Sequence, residues 1–207
     1  HKEKSKSYDD KILRSVKDPY QKNGGLKMLK GNLGKGVIKI SAVKPEHYRI
    51  VAPAMVFNNQ EDVKEAYHKG LLNKDVVVVV RFQGPKANGM PELHALTPIL
   101  SNLQDMGFKV ALITDGRMSG ASGKVPSAIH VTPEAIDGGT ISKIQDGDNI
   151  EMDANTGKLN LNEDYSNRKN FKLEKDLSNS FGRNLFSLLR KNAISAESGA
   201  GLNLIND

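Results

Sequence analysis

The sequence predicts a mixed α/β domain in which a barrel-like sheet is flanked by helices. Three observations carry this. Val76 to Phe82 holds five consecutive valines, and Phe108 to Thr114 is nearly continuous in apolar character, so both read as strands covered on two faces. Each runs into a glycine-rich loop, Gln83 to Pro91 and Asp115 to His130, the places where ligands collect at the strand ends of α/β folds. Between Ile141 and Asn162, short apolar runs are separated by Asp146-Gly147-Asp148 and Asn155-Thr156-Gly157, the punctuation of a β-meander.

Residues 1–22 are polar and lysine-rich with little periodicity, and read as an arm or a linker from a missing N-terminal domain. Residues 23–192 form the domain and residues 193–207 a tail. Leu26–Lys30 and Val37–Ser41 are short strand candidates between glycines, and Ile50–Phe57 is a third, weakened by Pro53. Asn59 has the character of an N-cap, with Glu61 and Asp62 in the first turn of a helix that Gly70 stops after Lys69. A second helix is expected from about Glu92 to Met106, with Pro91 at its first position and Pro98 breaking or kinking it. Ile141–Gln145, Asn149–Ala154 and Lys158–Asn162 supply the meander. A last helix over 181–192 carries an apolar stripe of Leu185, Phe186, Leu188 and Leu189.

The chain has 207 residues, 38% of them hydrophobic, enough for one domain with a full core. The net charge of +6 is concentrated at the front, since the first fifty residues hold 13 Lys and Arg against 5 Asp and Glu. A basic arm, without tryptophan or interleaved aromatics, argues against a nucleic-acid face. No apolar run reaches the roughly 18 residues of a membrane span, so no membrane association is expected and the cytoplasm is the default. With no cysteine, thiolate ligands must come from elsewhere.

Two generic motifs fail on inspection. A phosphate loop would require glycine where Met118 stands and a hydroxyl where Val125 stands, and neither Ser119 nor Ser122 has the flanking glycines of a nucleophile elbow. From residue type alone, Ser122, Gly123 and Lys124 offer a hydroxyl, an N–H and an ammonium to a phosphate, and a solvated loop lysine is the competing reading. His94 and His130 have no spaced partner, which points to structural roles.

The stretches Gly84-Pro85-Lys86-Ala87-Asn88-Gly89-Met90-Pro91-Glu92-Leu93-His94 and Thr114-Asp115-Gly116-Arg117-Met118-Ser119-Gly120-Ala121-Ser122-Gly123-Lys124-Val125-Pro126 together resemble the C-terminal domain of the dihydroxy-acid/6-phosphogluconate dehydratase family, on its phosphogluconate branch. The resemblance extends over nearly all of the chain beyond residue 20. It implies a swivelling β/β/α domain and a hydro-lyase converting 6-phospho-D-gluconate to 2-dehydro-3-deoxy-6-phospho-D-gluconate and water in the Entner–Doudoroff route. Ser119 matches the proposed base of that family and Arg117 its companion in the motif. A serine needs strong positive potential nearby to act so, and a turn role is the alternative. Glu92 matches a Mg²⁺-ligating glutamate, and is equally well placed as a first-turn carboxylate at a helix start. The resemblance further implies a 4Fe-4S cluster held by the missing N-terminal domain, that domain as partner, and a homodimer of the complete enzyme. The chain alone is then half a site, expected to fold but not to turn over. Two other functions stay open: another sugar-acid or dihydroxy-acid dehydratase, and a non-catalytic binding module.

Overall fold

The computed structural model describes residues 7–119, 123–173 and 184–203. Eight strands close into a barrel: β1 (Leu26–Gly31), β2 (Gly34–Lys39), β3 (Arg49–Phe57), β4 (Val76–Val80), β5 (Val110–Thr114), β6 (Ser127–Thr132), β7 (Asn149–Asp153) and β8 (Lys158–Leu161), in the order β1-β2-β6-β5-β4-β3-β7-β8. β3 to β6 form its parallel half, and β1/β2, β2/β6, β3/β7 and β7/β8 pair antiparallel. Helices α1 (Gln60–His68), α2 (Pro85–Asn88) and α3 (Thr97–Asp105) connect the parallel strands, and α4 (Ser187–Asn192) follows the barrel.

The five valines of β4 are all buried because alternate side chains enter two different cores. Val77 and Val79 point into the barrel with Ala111, Ile113 and Ile150. Val76, Val78 and Val80 face outward, beneath Val63 of α1 and Leu100 and Leu103 of α3. A strand between two apolar layers has no solvent face on which to alternate, which explains the unbroken run. Asn59 caps α1 as expected, its side chain accepting the Asp62 N–H at 2.9 Å. Pro53 is tolerated in β3 because pairing with β4 begins only at Ala54.

The structure corrects several expected elements. Ser127–Thr132, which begins inside the Asp115–His130 stretch read as a loop, is strand β6, joining β5 to β2. Ile141–Gln145 is not a strand: Thr140–Lys143 forms a 3-10 turn, which buries Ile141 and Ile144 in the barrel core. The meander is therefore β7 and β8 alone. The expected helix from Glu92 starts late, because the Leu93 N–H donates to the Arg117 carbonyl at 3.2 Å and ties that segment to a neighbouring strand end. A 3-10 turn at His94–Leu96 intervenes, and Pro98 lies in the first turn of α3, where its missing N–H costs nothing. Of the expected last helix, residues 181–183 lie outside the described residues. Its apolar stripe does not enter the barrel, with Leu188 63% exposed.

Candidate active site

Where β4 and β5 end, the chain stops pairing with strands and is gathered by one carboxylate. Asp115, fully buried, accepts the Phe82 N–H at 3.0 Å, the Gln83 N–H at 2.8 Å and the Ala135 N–H at 3.0 Å. These three bonds hold the loops after β4, β5 and β6 in one register. They also end β4 at Val80, short of the expected Phe82, which turns at φ +62°. Burial pushes the Asp115 carboxyl up, against the N–H donors that favour its ionised form.

A second buried carboxylate sits beside it. Glu134 accepts the Lys86 N–H at 3.2 Å at the start of α2. Burial and the neighbouring Asp115 charge push its carboxyl up to about 7. A side chain at Gly84 would place its Cβ 2.2 Å from Glu134 Oε2, so the approach requires glycine there.

On this base stand three of the residues nominated from sequence. Glu92 and Arg117 form an isolated parallel bridge between the two motif loops. The Ser119 N–H donates to Glu92 Oε1 at 2.8 Å and the Ser119 hydroxyl to Glu92 Oε2 at 2.9 Å. Arg117 donates through Nε to the Met90 carbonyl at 2.7 Å, and its Nη1 lies 3.4 Å from Glu92 Oε2. Partial burial pushes the Glu92 carboxyl up, but the Ser119 donors, the Arg117 charge and the His94 N–H outweigh it and hold it below the ordinary carboxylate range. Glu92 is thus an anion at neutral pH, poised to coordinate a cation or fix a hydroxyl, and a weak proton acceptor.

Of the phosphate candidates, Gly123 and Lys124 form none of the contacts of this cluster. Lys124 binds both oxygens of Asp105 at 2.7 Å, committing its ammonium to the end of α3, and Gly123 is buried. Ser122 lies outside the described residues. Sequence reasoning passed over Asp115 and Glu134 and gave His130 a structural role. His130 is half-buried at φ +55°, and burial and the Arg117 charge lower its pKa, keeping it neutral at neutral pH. The signal available was the Asp-Gly-Arg and Pro-Glu-Ala spelling at strand ends, where short carboxylates accept loop N–H groups.

As to metals, among the described residues no three His, Asp or Glu converge, so Glu92 can furnish only one ligand to a hard cation. An iron-sulfur cluster does not fit the residues present, because the chain has no cysteine.

Residues 11–200 match the family model described as the C-terminal part of dihydroxy-acid/6-phosphogluconate dehydratases. Over 93% of the chain it is 54% identical to the phosphogluconate dehydratase of Zymomonas mobilis, covering 32% of that protein. Over 95% of the chain it is 56% identical to the phosphogluconate dehydratase of Rhizobium meliloti, covering 33%. Similarity to the dihydroxy-acid dehydratase of Caldanaerobacter subterraneus is lower, 45% over 72% of the chain. The chain thus spans about a third of the length of these curated relatives. It belongs to the dihydroxy-acid/6-phosphogluconate dehydratase family, whose C-terminal region it matches.

Proposed function

We propose that the chain is the C-terminal part of a hydro-lyase acting on 6-phospho-D-gluconate in the cytoplasm, in the Entner–Doudoroff route. In the reaction the C2 proton is removed, the C3 hydroxyl departs as water, and the resulting enol becomes the 2-keto acid. The observation that carries this reading is the Ser119–Glu92–Arg117 cluster, with its two hydrogen bonds from one serine to one carboxylate.

Ser119 is assigned the C2 proton. In the resting site its hydroxyl proton points at Glu92; to take the C2 proton the oxygen must first release that proton to water, and the alkoxide then becomes the hydroxyl again as the C2–H bond breaks. Glu92, held ionised, orients that hydroxyl and does not take its proton at neutral pH. Arg117 adds the positive charge that favours an ionised serine oxygen. Glu92 would also be the chain's ligand to Mg²⁺, which when bound supplies further positive charge and a seat for the substrate carboxylate. The 4Fe-4S cluster and the remaining ligands are assigned to the part of the enzyme beyond this chain, which is also its partner. The complete enzyme is proposed to be a homodimer.

The test is Ser119→Ala in the complete enzyme. The expected outcome is a fall in kcat of at least about a thousandfold with folding and cluster content intact. Near-normal turnover would remove Ser119 from the role. Comparing 6-phosphogluconate with unphosphorylated sugar acids and dihydroxy acids tests the substrate.

A further inference from the structure

A cavity of about 1030 Å³ opens beside Arg81, the residue that follows β4, away from Ser119. Its walls are Val56 at the end of β3, the segment Ser142–Asp146 and the segment Arg168–Lys172. The volume suits a sugar-phosphate-sized molecule. Its lining carries an excess of positive charge. Arg168 is neutralised by Asp148, to which it binds through both nitrogens. Asp146 supplies a single carboxylate, already accepting the Val56 N–H at 2.7 Å. Against it stand Arg81, Lys143, Lys169 and Lys172, and among the described residues none of the three lysines forms an ion pair.

Arg81 sets this cavity apart from an ordinary basic surface. It is only 6% exposed. Nε donates to Asn58 Oδ1 at 2.8 Å, Nη1 to the Ser142 and Ile144 carbonyls at 3.1 and 3.3 Å, and the Phe171 ring lies 4.0 Å from the guanidinium carbon. Nη2 has no hydrogen bond to any described residue. Burial lowers its pKa to about 10, and the nearby Asp146 and Asp115 charges oppose that fall, so the group stays charged. A fixed, largely buried guanidinium whose Nη2 has no hydrogen bond to a described residue, with three ammonium groups along the same cavity, is a donor set suited to a phosphate: one rigid fork for geometry and point charges for the dianion. Lys124, by contrast, has already met its carboxylate in Asp105.

We propose that the Arg81 cavity, with Lys143, Lys169 and Lys172 at its mouth, is a binding site for a phosphate monoester or inorganic phosphate. Two sources share this chemistry. One is the phosphate of the substrate, which rests on the dehydratase reading above and is compatible with Arg81 lying two residues from Gln83, itself bonded to Asp115. The other is a separate phosphorylated effector.

The experiment uses the complete enzyme with inorganic phosphate as probe, binding being followed by calorimetry in the native protein, in Lys143→Ala/Lys169→Ala/Lys172→Ala and in Lys124→Ala. None of the three cavity lysines is fully buried, and none holds an ion pair that folding would miss. The triple variant is expected to weaken phosphate binding at least about tenfold, while Lys124→Ala leaves it unchanged. A parallel rise in KM for 6-phosphogluconate with kcat retained identifies the substrate phosphate as the source. Unchanged KM with phosphate affinity lost identifies a separate effector. Phosphate affinity unaltered in the triple variant, lost in Lys124→Ala instead, or absent from the native enzyme overturns the proposal. Binding is also read in Ser119→Ala, so failure of the dehydratase reading would leave this result standing.

Discussion

Replacing Asp115 by asparagine keeps the shape of the side chain and turns one of its two acceptor oxygens into a donor. In the better of its two orientations the amide oxygen takes the place of Oδ2 and retains the Phe82 and Ala135 N–H groups, while the amide NH₂ faces the Gln83 N–H that Oδ1 accepted at 2.8 Å. Two buried donors then confront each other, at about 1–3 kcal/mol for each orphan, and two charge-assisted bonds weaken to neutral ones at about 1 kcal/mol apiece. Burying a neutral amide instead of a carboxylate returns part of this. The expected net loss is about 3 kcal/mol, which with a denaturant slope of about 2 kcal/mol per molar shifts the urea midpoint down by about 1.5 M. Urea unfolding of the chain at pH 7 measures it, with Asp105→Asn, which breaks only the exposed pair to Lys124, as the comparison expected to move by a few tenths of a kcal/mol. Equal shifts in the two variants would refute the claim that Asp115 ties the three loops together.

Glu134 gives a pH signature. Its pKa is raised in the fold, from 4.5 to about 7, so the native state favours the protonated carboxyl. Its contribution to stability is full below about pH 4.5 and is lost as pH rises through 7, amounting to about 2–3 kcal/mol. Glu134→Gln should therefore gain on the wild type by that amount between pH 4.5 and 8 in urea midpoints taken across the range, and a difference that stays flat would exclude the assignment. Because the Asp115 charge contributes to the shift, Asp115→Asn should move this window downward. Gly84→Ala should destabilise by about 2–4 kcal/mol, because Glu134 Oε2 would lie 2.2 Å from the new methyl and its carboxyl is buried; a thermal midpoint within 2 °C of wild type, on the order of the change about 0.5 kcal/mol would produce, would contradict this.

What was legible in the sequence and what was not divide along the range of the forces involved. The β4 valines announced a strand between two layers because burial on both faces leaves its mark on each residue in turn. The Asn59 cap was legible because its partner is three residues away. β6 was hidden because Ser127, His130 and Thr132 break the apolar pattern, and its place is set by partners in β2 and β5 far along the chain. The site divides in the same way. Glu92, Arg117 and Ser119 were nominated through their motifs, and the bridge between those motifs makes them one cluster. Lys124 read as a free ammonium because nothing local reveals that Asp105, 19 residues earlier, faces it. Arg81 read as the end of a strand, and its character as a buried cation depends on Asn58, Ser142 and Phe171 converging from three other segments. Residue type therefore states which donors a loop can offer, while the tertiary partners decide which remain uncommitted. By that criterion the proposed phosphate site lies in the cavity after β4, where Arg81 Nη2 has no hydrogen bond to a described residue and Lys143, Lys169 and Lys172 form no ion pair among the described residues.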